Sequence, residues 1–337
     1  MRAGCFYGSH RVLEPTGVLP QAAWKIDNVM EIYDNELLLD VDVLNIDAAS
    51  FRQMKEQAGS DPGKIKEIIL DTVAKRGKQH NPVTGSGGML IGKVREVGIN
   101  FPGDLKTGDR VATLVSLSLT PLKLDKIYEI NMKSDQMKVL GQAIVFASGI
   151  YAKLPSDLSE DFALAMLDVA GAPAQTAKLV KPGDRVLVIG GGGKSGMLCL
   201  YEAHKRAGVT GKVIGLSRSD AACRRIQESG LADMVLKGDA TNALDIYEKV
   251  RQATEGCLAD VTINCVDIQG TEMASILSTR EGGSVYFFSM ATSFTAAALG
   301  AEGVGKDVQM LIGNGYTKGH AEIVLDAARY LKGEGIF

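Results

Sequence analysis

A run of four glycines after a short apolar segment is the feature that most constrains how this 337-residue chain can fold. The stretch Arg185–Gly196 reads RVLVIGGGGKSG, and Gly191, Gly193 and Gly196 fit the spacing G-x-G-x-x-G. This spacing is needed where a strand turns tightly into a helix and the backbone comes close to a diphosphate. The N–H groups and the positive dipole end of such a helix hold phosphates. The pattern therefore predicts a dinucleotide-binding unit.

The flanking segments have the periodicities that such a unit requires. A strand is predicted before the glycines, a helix over 197–207 and a second strand over 212–217. A P-loop for ATP is disfavoured, because its first glycine would have to stand at Val188, inside the predicted strand. The loop residues expected to contact the diphosphate are Gly191, Gly192, Gly193, Lys194, Ser195 and Gly196.

The end of the second strand indicates which dinucleotide binds. NAD sites usually place an acidic residue about 20 residues past the glycines, where it holds the ribose 2′-hydroxyl. Here Ser217 takes that position and Arg218 follows it. A carboxylate would repel a 2′-phosphate, whereas a hydroxyl beside a guanidinium would bind one. NADP(H) is therefore expected to be favoured over NAD(H), and the alternative is that Arg218 is a solvated loop residue.

Residues that follow later strands are expected to complete the cofactor site. Ligands of open parallel sheets bind beyond the carboxyl ends of the strands. Cys265 and Val266 lie at the end of one predicted strand, and Ser289 and Met290 at the end of another. These four residues are predicted to line the nicotinamide and the adjacent ribose.

Two domains are expected from a chain of this length. Residues 1–50 read as strands, 51–80 switch to helical spacing, and strands resume after residue 88. From about Asp161, helices alternate with apolar strands near 185–189, 212–216, 234–236, 260–266, 284–289 and 308–312. This alternation predicts an α/β fold with a doubly wound parallel sheet and helices on both faces.

The amphipathic helix predicted over 319–332 is expected to pack back against the β-rich part of the chain. The predicted domains are therefore 1–155 together with 316–337, which carry the helical insertion at 51–80, and 156–315, which bind the dinucleotide.

Composition excludes several classes of partner. A net charge of −3 gives no reason to expect nucleic acid or a membrane surface, and no apolar run reaches the length of a membrane span. The opening MRAGCFYGSHRV lacks the apolar core of a signal peptide. The five cysteines are scattered and form no C-x-x-C pair. These features predict a cytoplasmic protein.

The order of the segments resembles the medium-chain dehydrogenase/reductase superfamily across nearly the whole chain. The resemblance is carried by 97–114, 179–196, 230–267 and 280–290, and above all by GDRV followed much later by PGDRVLVIG. It implies a Rossmann cofactor domain and a β-rich, GroES-like catalytic domain. It also implies a homodimer formed through an edge strand of the cofactor domain, near 284–290 and 307–312.

A closer similarity links the chain to the L-erythro-3,5-diaminohexanoate dehydrogenases of bacterial lysine fermentation. This similarity lies in the opening AGCFYGSHRVLEPTGVLPQAAWKIDN, in the insertion at 51–80 and in QHNPVTGSGGMLIGKVREVG. It implies NAD(P)-dependent oxidative deamination at C3 of that substrate. The alternatives are a zinc-free quinone or enone reductase, which needs no ammonium site, and a protein that binds the cofactor without turnover.

The chain departs from the zinc-dependent members of the superfamily at their metal ligands. Asn45 stands at the first ligand position and Gly88-Met89 replace the His-Glu pair. The segment 165–171, AMLDVAG, has neither Cys nor His near the third position. Because catalytic zinc takes three protein ligands, no metal is expected. The histidines show no ligand spacing either; they are His10, His80, His204 and His320.

Without a metal, carboxylates are the expected catalytic groups. A protonated imine carries its own positive charge, so deamination needs proton transfer and cation stabilisation rather than a Lewis acid. Asp47 lies where the resemblance implies a proton-relay hydroxyl. Asp168 lies in the segment that leads into the glycine-loop unit, which runs beside the nicotinamide in the superfamily. Both are candidate acid/base and ammonium-binding residues; the alternative for each is a helix cap or turn former.

The implied substrate also carries a carboxylate, which calls for a cation or donor. The candidates are Arg52, His80, Lys93 and Tyr316. Arg52 lies on the insertion helix and Lys93 on a strand, and the alternative for each is that its side chain is simply solvated at the surface. His80 stands before Asn81-Pro82 in a predicted loop, where binding residues are common, although a structural histidine is the competing interpretation.

Overall fold

The computed structural model describes residues 2–289, 291–313 and 316–337. They form two compact units, Met1–Asp157 and Leu158–Phe337, each with its own sheet and hydrophobic core. Every helix in the described ranges is too short or too polar to traverse a lipid bilayer.

The first unit is built mainly from strands, with two helices inserted after the third strand. Six strands make an antiparallel sheet in the order β6-β7-β3-β4-β5-β8, and β1 pairs with β2. The elements are β1 (Val12–Glu14), β2 (Lys25–Ile26), β3 (Glu36–Asn45), α1 (Ala48–Ala58), α2 (Pro62–Arg76), β4 (Met89–Val97), β5 (Arg110–Thr113), β6 (Leu122–Asn131), β7 (Gln136–Phe146) and β8 (Tyr151–Lys153).

Both inserted helices begin at an aspartate cap. The Asp47 carboxylate accepts the Ser50 N–H at 2.9 Å, and α1 ends at Gly59, whose φ of 60° suits a residue without a side chain. Asp61 caps α2, and the first residue of that helix is Pro62. The buried face of α2 joins the core of the sheet through Ile65, Ile69 and Val73, as the helical spacing predicts.

The second unit contains a six-stranded sheet in the order β11-β10-β9-β12-β13-β14, and all of its strand pairs are parallel. This is the predicted doubly wound sheet. The elements are α3 (Glu160–Leu167), α4 (Gly171–Leu179), β9 (Arg185–Ile189), α5 (Lys194–Ala207), β10 (Lys212–Ser217), α6 (Asp220–Ser229), β11 (Met234–Lys237), α7 (Ala243–Ala253), β12 (Ala259–Asn264), α8 (Glu272–Ser278), β13 (Thr279–Phe287), α9 (Phe294–Gly303), β14 (Gln309–Ile312) and α10 (His320–Gly333).

The C-terminal helix lies elsewhere than the sequence analysis placed it. Helix α10 packs against α3, α4 and α5, and 316–337 group with the second unit rather than with 1–155. Its apolar stripe, which includes Val324, Ala327 and Leu331, is buried. An amphipathic pattern predicts that a helix has a buried face but does not identify the surface that buries it.

Strand β13 starts five residues before its predicted beginning at 284. Thr279 pairs with Ala259 and Ser284 with Val261, so extra residues bulge out between the two pairs. Gly282, with a φ of 66°, lies in this bulge. Asp260 anchors the region by accepting hydrogen bonds from Arg185 and Arg280. Burial alone would raise the pKa of Asp260, but these hydrogen bonds lower it to about 2.

A buried ion pair ties the N-terminal segment to the large sheet. Arg11 is 1% exposed and donates two hydrogen bonds of 2.7 Å to Glu36, which is fully buried at the start of β3. His10 and the Tyr33 N–H also bond this carboxylate. Burial alone would raise the pKa of Glu36, but the hydrogen bonds from Arg11, His10 and Tyr33 lower it to about 2.

We expect Glu36→Gln to lower the free energy of unfolding at pH 7 by roughly 3–5 kcal/mol, since it leaves the buried Arg11 charge without its partner. Because the pKa of Glu36 is lowered from 4.5 to about 2, its stabilisation is present above pH 4.5 and is lost as the pH falls towards 2. When unfolding by urea is measured between pH 7 and 3, the free energy of unfolding should therefore fall more for the wild type than for the variant.

Glu14→Gln is the matched control, since Glu14 is exposed on β1. Its unfolding free energy should follow the wild-type curve at every pH. Parallel pH curves for the wild type and Glu36→Gln would contradict the assigned role of this carboxylate.

Candidate functional site

The glycine run forms a tight turn between β9 and α5. Gly190 has a φ of 83°, and the N–H groups of Gly190 and Gly191 both donate to the Leu216 carbonyl, at 2.9 and 3.0 Å. The Gly193 N–H donates to the Gly190 carbonyl, and α5 starts at the next residue. The predicted strand–turn–helix is therefore present, and its backbone is held by the neighbouring strand β10.

The glycines differ in what surrounds them. A Cβ on Gly196 would lie 2.2 Å from the Gly190 carbonyl oxygen, and one on Gly192 would lie 2.6 Å from the Ala222 Cβ. Both positions need glycine for close packing. Gly193 is exposed, and the nearest atom to a Cβ there would be 3.5 Å away. Its backbone is therefore the part of the loop that a diphosphate can approach.

A cavity of about 280 Å³ opens beside this turn, within the second unit. It lies at the carboxyl ends of β9, β10, β11 and β12, where parallel sheets bind ligands. Four predicted cofactor residues line it: Gly193, Ser217, Arg218 and Val266. The sequence analysis missed the other lining residues, which are Gly190, Leu216, Gly238, Asp239, Ala240 and Ile268. For 238–240 the available signal was the polar turn GDATN after β11.

Ser217 and Arg218 occupy the wall where an NAD site would have its carboxylate. The buried Ser217 hydroxyl accepts the Gly192 N–H at 3.0 Å, so it also fixes the loop. The Arg218 side chain is 75% exposed, and its guanidinium lies 4.0 Å from the Asp239 carboxylate. Hydrogen bonds from the Thr241 N–H and hydroxyl lower the pKa of Asp239, so this carboxylate is ionised beside the guanidinium.

The other predicted cofactor residues differ in their burial and in their contacts. The Cys265 thiol lies 3.8 Å from the Cys199 sulfur on α5, and Cys265 does not line the cavity. Ser289 is buried and hydrogen-bonds Asp267 at 3.0 Å. Ser195 is half-buried at the start of α5. Met290 lies outside the described residues.

Asp168 and Lys194, which were assigned different roles, form an ion pair. Asp168 follows the last residue of α3, and its carboxylate lies 3.4 Å from the ammonium of Lys194, the first residue of α5. Both side chains are more than a third exposed. The pair places one positive and one negative charge beside the N-terminus of the glycine-loop helix.

Asp47, in the first unit, has two oxygens in different states. One oxygen caps α1, which matches the helix-cap interpretation. The other, Oδ2, is buried and has no hydrogen-bond partner within the described chain. An ionised carboxylate normally accepts several hydrogen bonds, so Oδ2 is left with unused acceptor capacity.

The segment after α2 buries four consecutive polar side chains to different extents. Lys78 is fully buried, and its ammonium donates to the carbonyls of Pro20 and Gln21, while burial lowers its pKa to about 7. Gln79 is fully buried, and neither its amide oxygen nor its amide nitrogen has a hydrogen-bond partner in the described part of the chain. His80 Nδ1 is also buried and lacks a hydrogen-bond partner among the residues that the structure describes. Burial, followed by the charges of Lys78 and Arg76, lowers the pKa of His80 to about 4.

Hydrogen bonds join this segment to the start of α1. Asn81 Nδ2 donates to Gln53 Oε1 at 2.9 Å and to the Ser50 carbonyl at 3.5 Å. The Ser50 hydroxyl bonds the Thr84 hydroxyl at 2.5 Å. The segment that carries Gln79 and His80 therefore lies beside the start of α1, which Asp47 caps, and we call these three residues the α1 polar cluster. Lys78, Gln79 and Asn81 were missed; the polar run KQHN directly after a helix was the signal.

The backbone next to this cluster does not fit a zinc site. Gly88 has a φ of 101°, and a Cβ there would lie 2.0 Å from the Asn45 carbonyl oxygen, so no ligating side chain can occupy the position. Asn45 itself ends β3 opposite Met89. In the part of the chain that the structure describes, no group of three His, Cys, Asp or Glu side chains is placed to hold a metal ion.

The remaining substrate candidates are on the surface. Arg52 is exposed on α1, and Lys93 is exposed on β4. Tyr316 is 46% exposed, and its ring contacts that of His320 edge-on at 5.2 Å. Their roles in substrate binding remain predictions.

Comparison with known proteins places the chain in a family. Residues 10–155 match the family model described as the L-erythro-3,5-diaminohexanoate dehydrogenase N-terminal domain. A protein of that name from Acetoanaerobium sticklandii is 59% identical over 97% of this chain and 95% of its own length. One from Fusobacterium nucleatum is 56% identical over 98% and 96%.

Solved structures confirm the predicted fold class. A quinone oxidoreductase from Pseudomonas syringae has a TM-score of 0.54 at 18% identity and covers 94% of this chain, with 86% of its own length matched. A mycobacterial protein complexed with NADPH has a TM-score of 0.56 at 18% identity, with 97% and 88% covered. The chain therefore shares the fold of these two structures. By sequence it belongs to the L-erythro-3,5-diaminohexanoate dehydrogenase family.

Proposed function

We propose that the chain catalyses the reversible, NAD(P)-dependent oxidative deamination of L-erythro-3,5-diaminohexanoate to 5-amino-3-oxohexanoate and ammonia. The observation that carries this proposal is 59% identity to a dehydrogenase of that name over 97% of the chain. The glycine turn and its cavity supply the nucleotide site that such a reaction requires. The buried Asp47 Oδ2 supplies a carboxylate for the amine.

The residues of the turn fit a nicotinamide dinucleotide. The exposed backbone at Gly193 and the N-terminus of α5 would hold its diphosphate, with Lys194 and Ser195 beside it. Ser217, Arg218 and Val266 would hold its adenosine half in the cavity. When bound, the cofactor accepts the hydride that leaves C3 of the substrate.

Asp47 is proposed to handle the protons of the reacting nitrogen. Its Oδ2 takes a proton from the ammonium, so that the amine lone pair assists hydride departure and an iminium forms. The carboxyl releases this proton to solvent, and the regenerated carboxylate takes a proton from the water that attacks the iminium carbon and passes it to the nitrogen. The attacking water contributes the ketone oxygen, and the nitrogen leaves as ammonia. Asp168 is the less favoured catalytic residue, because it is 46% exposed and paired with Lys194.

The activity is tested with purified protein, the diamino acid and either cofactor, followed by the absorbance of the reduced nicotinamide. We expect oxidation of the substrate and, in reverse, oxidation of the reduced cofactor by 5-amino-3-oxohexanoate only when ammonia is present. Ammonia-independent reduction of a quinone or enone, without deamination, would favour the reductase alternative.

We expect Asp47→Asn to lower kcat by about 10²–10⁴-fold, because it removes the base while retaining an oxygen that can cap α1. Asp61→Asn makes the same change at the cap of α2 and should leave kcat within about twofold, since both caps are retained. Thermal unfolding should be similar for both variants. Full activity in Asp47→Asn would remove Asp47 from the mechanism.

We also propose that NADP(H) is favoured over NAD(H). Arg218 is largely exposed at the cavity wall, and no acidic residue stands at the end of β10. Asp239 opposes this preference, since its carboxylate lies 4.0 Å from the same guanidinium. A 2′-phosphate carries more negative charge than one carboxylate and is expected to capture the guanidinium from it.

We expect Arg218→Gln to raise the KM for NADP by about 10–100-fold, as one charged hydrogen-bonding group is lost, with little change for NAD. Arg225→Gln, which changes an exposed arginine on α6, is the matched control and should alter neither value. Equal effects of Arg218→Gln on the two cofactors, or a wild type that prefers NAD, would contradict the proposal.

A homodimer and a cytoplasmic location are proposed as well. Strand β14 ends the parallel sheet, its outer edge has no strand partner among the described residues, and Ile312 is 58% exposed there. Pairing of this edge with a second copy would cover it. All five cysteines are free thiols, which suits a reducing compartment. Light scattering should give twice the chain mass, and cell fractionation should recover the protein with cytoplasmic markers; a monomeric mass or a different fraction would contradict these assignments.

A further inference from the structure

Unpaired polar atoms are concentrated in the α1 polar cluster. Eight buried side-chain nitrogens or oxygens have no hydrogen-bond partner among the described residues, and Asp47, Gln79 and His80 carry four of them. Each such group destabilises a fold by about 1–3 kcal/mol relative to a paired one. A cluster of them is expected where a polar ligand supplies the missing partners.

Gln79 is the least explained of the three by folding alone. Its side chain is fully buried with both amide atoms unpaired, so an apolar residue of similar volume would fill the space without this penalty. Its backbone is fixed from both sides. Lys78 is anchored to two carbonyls, and a Cβ on Gly87 would lie 2.3 Å from the Gln79 carbonyl oxygen.

The charges around the cluster have opposite signs at its two ends. The Arg76 guanidinium donates to the His80 carbonyl at 2.7 Å, and Lys78 precedes Gln79 directly, so this segment carries two cationic side chains. Asp47 brings a carboxylate oxygen to the other end. An anionic group is therefore favoured beside Gln79 and His80, and a cationic group beside Asp47.

We propose that Gln79 and His80 form the carboxylate-binding half of the substrate site. Gln79 Nε2–H and His80 Nδ1–H, in the neutral tautomer that carries its proton on Nδ1, donate to the carboxylate of a β-amino acid whose ammonium meets Asp47. This inference rests on the proposed deamination and adds how the substrate is recognised. In a β-amino acid only two carbons separate the amine-bearing carbon from the carboxylate oxygens, so both ends must be bound close together. The hydrogen bonds between Asn81 and the start of α1 bring the two ends of the cluster into one region.

The test compares Gln79→Leu with the wild type on two substrates, the diamino acid and its C1 carboxamide, which has the same shape without the negative charge. We expect kcat/KM for the acid to fall about 10–100-fold, because donors to a charged group are worth about 1.5–3 kcal/mol. The carboxamide should lose less than threefold. The melting temperature of Gln79→Leu should equal or exceed that of the wild type, because an unpaired buried amide is removed.

Gln227→Leu makes the same change at an exposed position on α6, in the second unit, and should affect neither substrate. His80 provides a second pair of variants: His80→Asn, whose amide nitrogen can replace Nδ1–H, should retain most activity on the acid, whereas His80→Leu should not. If Gln79→Leu lowered kcat/KM equally for the acid and the carboxamide, with or without a lower melting temperature, Gln79 would have a structural role and the proposal would be overturned.

The failure of this inference is distinguishable from failure of the proposed function. A wild type that deaminates the diamino acid, with Gln79→Leu unaffected, would overturn only the carboxylate site. A wild type inactive with both cofactors would overturn the proposed function. In that event calorimetric titration of the acid and carboxamide into both proteins tests the site by binding, and equal affinities for the acid would overturn it.

Discussion

The carbonyl of Leu216 organises the nucleotide half of the molecule. It accepts the N–H groups of both Gly190 and Gly191, and so it binds the turn after β9 to the end of the neighbouring strand β10. Ser217, the next residue, secures Gly192 through its hydroxyl. The start of α5, the exposed backbone of Gly193 and the cavity at the strand ends all follow from this fixed turn.

In the first unit the candidate site is instead marked by buried polar groups that have too few hydrogen-bond partners among the described residues. Asp47 caps α1 with one oxygen and leaves the other unused, while Gln79 and His80 bring further unpaired atoms to the same region. A fold that holds such groups rigidly has already desolvated and oriented them before a ligand arrives. In the proposed substrate site, a bound β-amino acid would gain their hydrogen bonds without having to order the side chains.

The fold was predictable where local chemistry determines structure. The glycine turn depends on backbone space and hydrogen bonding, so its spacing in the sequence was sufficient, and the strands of the second unit follow from apolar runs. The packing of α10 was not predictable, because an amphipathic stripe does not specify its partner. The bulge before Ser284 depends on Asp260 and its two arginines, and the sequence separates these residues by up to 95 positions.

The site was predictable in part for the same reasons. Ser217 and Arg218 follow from strand length, but Asp239 meets Arg218 only after β11 is placed beside β10. His80 and Asn81 were expected in a loop, which suggests exposure, and only the structure reveals that Asn81 and the neighbouring Gln79 are buried.

Asp47 serves the helix and the proposed chemistry with a single side chain. The hydrogen bond from Ser50 that begins α1 also sets the angle at which Oδ2 is presented. Local fraying of the first turn of α1 would therefore misalign the base while the β-sheet of the unit stays intact. Heat or mild denaturant should then abolish turnover before it unfolds the chain, because activity depends on a single helical turn.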